Sequence, residues 1–80
     1  MSNKESIIGK NMKFFRNKQR ISQDILSKKA GLAFHTIAKI EAGSTPNPSV
    51  NTASKIAAAL DISLDDLLKE SKTKWRPLKN

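Results

Sequence analysis

Apolar residues return at helical spacing in five stretches of this chain, separated by short polar, glycine- or proline-containing breaks. In the first, Ile8, Met12 and Phe15 recur at i, i+4 and i+7 while Lys10, Lys13 and Asn17 take the opposite face, which predicts a helix from Ser6. Ile7 and Phe14 fall on a flank of that stripe; they are more apolar than a monomer surface needs, and suit packing under the C-terminal tail or against a partner subunit. Lys18, Gln19 and Arg20 lead into the second helix. There Ser22 is placed to accept a hydrogen bond from a first-turn amide, and Ile21 and Leu26 have the spacing of a hydrophobic staple. Leu26 and Ala30 point inward, Lys28 and Lys29 outward, and Gly31 supplies the left-handed stop. A third helix follows almost at once with Ile37 and Ile40 inward. Val50, Ala53, Ile56, Ala57 and Leu60 mark a fourth, from about Ser49 to Leu60. In the fifth, Ser63 is the cap, Asp66 completes a short capping box, Ile62 and Leu67 form a second staple, and Leu64, Leu67 and Leu68 bury the helix.

The pattern predicts an all-α, compact five-helix bundle with no β-sheet. Its expected core is Ile8, Met12, Phe15, Leu26, Ala30, Ile37, Ile40, Ile56, Leu60, Leu64 and Leu67. The stretch from Ser22 to Gly43, two short helices joined by a few residues that include Gly31, has the form of a helix-turn-helix, whose second helix enters the DNA major groove. An ordinary αα-corner in a helical bundle has the same caps and spacing.

Gln23, Leu26, the small Ser27, Ala30, Gly31, Ile37, Ile40, Glu41 and Gly43 resemble, position by position, the phage-repressor (Cro/CI-type, xenobiotic-response-element-like) helix-turn-helix family. The later run PSVNTASKIAAALDISLDDLL is similar to that family's last two helices, so the resemblance extends from Ile7 to Lys69. It implies a lambda-repressor-like DNA-binding domain over residues 1–70, followed by a basic tail over 71–80. It also implies an ion pair between Arg16 and Glu41, and a Gln23 that binds phosphate or braces the recognition helix. Five positions depart from the family. Ile25 replaces a usual acid, Ser27 an alanine and Ala33 a frequent serine cap. Ala53 replaces a leucine, so Phe15 or Phe34 is expected to fill the space, and Asp61 stands where glycine is favoured.

Charge sharpens this picture. Fifteen basic residues against seven acidic ones give +8, with nine basic and two acidic in residues 1–40 and six and five in residues 41–80. Such a field suits a polyanion, though charge alone does not separate DNA from RNA or anionic lipid. With Ile37 and Ile40 inward, a rotation of about 100° per residue turns His35 and Lys39 almost directly outward, with Thr36 beside them. His35, Thr36 and Lys39 are therefore the expected base readers, with Phe34 between core and groove and able to meet a thymine methyl. Ser22, Gln23, Ser44, Thr45 and Asn47 are the expected phosphate-binding or bracing residues, the loop offering hydroxyls, an amide and free backbone N–H groups.

Enzymatic chemistry finds little to use. There is one histidine, no cysteine, no phosphate-cradling glycine loop and no cluster with metal-ligand spacing, so no catalytic residue, metal or cofactor is expected. Asp65 and Asp66 are adjacent carboxylates, but a first helical turn favours negative charge without any site. The absence of cysteine fits a reducing, cytoplasmic setting, and nothing approaches the ~18 apolar residues of a membrane span. Residues 1–5 are expected to fray. The tail SKTKWRPLKN either reaches phosphate as a basic arm or is tied down by Trp75 and Leu78. Two functions follow. One is a sequence-specific double-stranded DNA-binding transcriptional regulator acting as a homodimer, a repressor on a palindromic operator. The other is a protein-interaction module on the same fold, an antitoxin-like partner or coactivator bridge.

Overall fold

The computed structural model describes residues 6–69. Five α-helices follow one another: α1 (Ile7–Lys18), α2 (Gln23–Ala30), α3 (Phe34–Ala42), α4 (Val50–Leu60) and α5 (Leu64–Leu68). No strand occurs among the described residues. The expectations for residues 1–5 and for the tail from Ser71 lie outside this range.

Local chemistry accounts for the boundaries. The hydroxyls of Ser6, Ser22, Ser49 and Ser63 each accept from the amide three residues on, opening α1, α2, α4 and α5. Asp66 supplies half of the expected capping box: its amide donates to Ser63 Oγ at 2.9 Å, but its carboxylate lies 3.5 Å from Lys69 Nζ. Gly31 closes α2 at φ 71°, and the amide of Leu32 returns to the Ser27 carbonyl at 3.0 Å. Asp61 closes α4 in the same left-handed region at φ 60°, with Ile62 donating to the Ala57 carbonyl. There the glycine of the resembled family is replaced at a conformational cost.

α3 packs on α1 and α2, α4 on α2, and α5 on α1 and α4. Ile8, Met12, Leu26, Ile37, Ile40, Ala53, Ile56, Ala57, Leu60 and Leu67 form one buried cluster, and Phe15, Ile21, Leu32, Ile62 and Leu64 pack around its edge. Phe15 and Leu64 are thus half-buried rather than central. Two stripe residues lie outside. Val50 is 72% exposed, because burial along α4 begins one turn later at Ala53, and Leu68, at the end of α5, is 44% exposed. Phe34 is 49% exposed, so it does not fill the space beside Ala53; Phe15 is the one packed against the core.

α1 and α3 approach closely at Gly9. A Cβ there would lie 2.5 Å from the Ile40 carbonyl oxygen and 3.3 Å from that of Glu41. Only glycine lets α1 lie this near the C-terminal end of α3. Gly9→Ala is expected to force the two helices apart and cost about 1–3 kcal/mol, as overpacking does. Ile37→Ala, which opens a cavity at a fully buried site, should cost ~2–5 kcal/mol. Urea unfolding followed by circular dichroism measures both.

Candidate nucleic-acid interface

α3 is buried along Ile37 and Ile40 and open on its other side. Phe34, His35 and Lys39 are exposed and Thr36 is half-buried. Residues four apart are neighbours on a helix surface, so His35 and Lys39 stand one above the other. α3 is also the one helix among the five whose start lacks a side-chain cap, since Ala33 has no oxygen to offer.

The orientation of α3 is fixed mainly from its far end. Arg16, near the end of α1, donates from Nε to Glu41 Oε2 at 2.7 Å and from Nη2 to Oε1 at 3.2 Å. Its remaining terminal nitrogen, Nη1, donates to the Ile21 carbonyl at 2.8 Å. Gln23 Nε2 donates to Glu41 Oε1 at 3.0 Å. One carboxylate on α3 is therefore held from both α1 and the first residue of α2. The pair is well shielded, with Arg16 and Glu41 side chains only 13% and 6% exposed. Arg suits this place better than Lys, because its planar fork serves two carboxylate oxygens and a carbonyl together.

The residues assigned to phosphate fall into three groups. Ser22 is exposed, and its oxygen is occupied by the Ile25 amide, leaving its O–H as a donor. Gln23 is half-buried and turned toward Glu41, in the bracing arrangement. Ser44 and Asn47 are exposed and Thr45 half-buried in the loop after α3. The expectation of free backbone amides in that loop is corrected for Ser44 and Thr45. Both donate to the Lys39 carbonyl, at 3.0 and 3.3 Å, because the end of α3 has unpaired carbonyls that must be satisfied. Their hydroxyls remain.

Two bracing side chains escaped the sequence reading. Asn11, buried in α1, donates through Nδ2 to the carbonyls of Leu67 at 2.7 Å and Lys69 at 2.8 Å, fastening the end of α5. Gln19 Nε2 donates to the Leu60 carbonyl at 2.7 Å, tying the α1–α2 connection to the end of α4. A polar residue between Ile7 and Phe14 was the only sign of the first; nothing local signals the second. Among the described residues, no group of three or more His, Asp or Glu side chains is arranged to hold a metal, and no helix is long and apolar enough to cross a membrane.

Two helices joined by a tight glycine turn, the second open on one face and clamped at its end, define a helix-turn-helix domain. The Helix-turn-helix family model matches residues 12–67, and the chain belongs to that family. The HTH-type transcriptional regulator SinR of Bacillus licheniformis is 36% identical over 64 residues; the match covers 80% of this chain and spans 58% of that relative's length. The N-terminal DNA-binding domain of SinR from Bacillus subtilis superposes with a TM-score of 0.78 at 35% identity, covering 85% of this chain and 97% of that one. A crystal structure of SinR in complex with DNA, described as the master regulator for biofilm formation, gives 0.74 at 35% identity, covering 78% and 98%.

The clamp yields a prediction. Glu41→Ala leaves the Arg16 guanidinium shielded from water without its carboxylate and should cost about 3–5 kcal/mol, whereas replacing both residues with apolar ones should cost far less. Denaturant midpoints of the single and double variants make the comparison.

Proposed function

We propose that this protein is a sequence-specific regulator of transcription that binds double-stranded DNA through α3, acting in the cytoplasm as a repressor. The observation that carries this reading is the pair His35 and Lys39. They are stacked on the open face of a helix whose tilt is set by the Arg16–Glu41–Gln23 network. Lys39 donates to guanine O6 or N7, and His35 donates or accepts according to its tautomer. Thr36 and the exposed Phe34 ring meet a thymine methyl. Around them Ser22, Ser44, Thr45 and Asn47 engage phosphate, and the excess of basic residues in the first half of the chain supplies attraction that does not depend on sequence.

The regulator binds a palindromic operator as a homodimer, recognition helices ~34 Å apart, one turn of the duplex. The DNA-binding unit is residues 1–70, with the basic residues 71–80 as an appendage. Equilibrium sedimentation with and without a palindromic site is expected to show two protomers on the site; one protomer per site rejects the dimer.

Base readers and phosphate binders differ in their mutants. His35→Ala and Lys39→Ala should each cost about 1–3 kcal/mol on the cognate site and little on random duplex. Thr45→Ala should weaken both alike, since phosphate contacts carry no sequence information. Titration of labelled duplexes at fixed salt distinguishes these results. Equal losses on cognate and random DNA for the α3 variants mean that another element reads the sequence.

A further inference from the structure

The face of α1 that meets the end of α5 is left apolar and open. Ile7, Asn11 and Phe14 share that face at i, i+4 and i+7. Asn11 holds the carbonyls of Leu67 and Lys69, so the chain leaves α5 directly against α1, with Ile7 and Phe14 on either side of the fastening point. Ile7, Phe14 and Leu68 are 44%, 51% and 44% exposed. Phe15 meets the Phe14 ring edge-on and Lys18 lies over it at 5.5 Å, which leaves part of the ring open.

We propose that residues 70–80 of this same chain cover this face, with Trp75 seated against Ile7, Phe14 and Leu68. Three observations favour that occupant. The segment starts at the face itself, at a Lys69 whose own backbone is extended, with φ −77° and ψ 146°. Six residues, 70 to 75, span at most ~20 Å, against about 10 Å from Ile7 to Phe14 along the helix, so Trp75 reaches every part of the patch. The charges on the α5 side also match. The tail carries Lys72, Lys74, Arg76 and Lys79, while Asp61, Asp65 and Asp66, three of the chain's seven acids, are gathered from the end of α4 into α5. Asp65 and Leu68, three apart, are neighbours on the α5 surface.

The only tryptophan in the chain reports on its own environment. In the full chain without DNA, Trp75 emission should be shifted to the blue of the urea-unfolded chain, and acrylamide quenching should be several-fold weaker. Both should hold on hundred-fold dilution. Phe14→Ser and Leu68→Ser change exposed side chains and should leave the helical circular dichroism intact while returning Trp75 to the unfolded emission and quenching. Ile25→Ser, exposed on α2, should change neither. A Trp75 as exposed in buffer as in urea overturns the proposal. So does protection that survives both patch variants, which places the ring elsewhere. Protection lost on dilution gives the face to a second copy, and protection gained only with duplex DNA makes the tail a DNA arm; either result also overturns it.

Discussion

The carboxylate of Glu41 is the point on which the arrangement of the first three helices depends. It accepts from two nitrogens of Arg16 and from Gln23, and the same guanidinium reaches back to the Ile21 carbonyl. Hydrophobic burial is non-directional, and Ile37 and Ile40 would tolerate small rotations of α3 within the core. A planar fork on a carboxylate tolerates few. Shielding both charges from water is costly, and their attraction offsets that cost only in good geometry. The pair therefore serves angle more than stability.

Gly9 acts on the same contact from the backbone side. Because its missing Cβ brings α1 against the Ile40 and Glu41 carbonyls, Arg16, two turns further along α1, comes within reach of the carboxylate. Packing, close approach and ion pair then agree on one placement of α3. Asn11 and Gln19 extend the principle to the other end of the molecule, each using a side-chain amide to hold the last carbonyls of a helix. Helix ends leave such carbonyls unpaired, and in so small a domain long-range amides do what a larger core would do by packing.

Much of this was legible in the sequence because its causes are local. Ser22, Ser63 and Gly31 act within four residues, so they mark helix starts and stops. The stripes identified most of the core for the same reason. What a stripe cannot show is how far along a helix its neighbours extend, and so Val50 and Leu68 were assigned inward and lie exposed. Asn11 and Gln19 bond to carbonyls more than forty residues away, where no period in the sequence points. The Arg16–Glu41 pair, 25 residues apart, is expected only because the resemblance supplies it. In the loop after α3 Ser44 lies exposed and Thr45 half-buried. Their amides, expected free, are paired, because composition says nothing of which carbonyl a turn folds back upon.

Four helices begin under a serine hydroxyl and α3 begins under the methyl group of Ala33. Its leading turn thus lacks a contribution of about 1 kcal/mol that the others have. Its far end is held through Glu41 by Arg16 and Gln23. Local opening is cheapest where the least holds the turn closed, and there the backbone samples more states. A surface that supplies hydrogen-bond acceptors to that turn would do the missing serine's work and narrow the ensemble as it docks. The order of α3 would then be completed by what it touches, with the entropy lost on contact and not during folding.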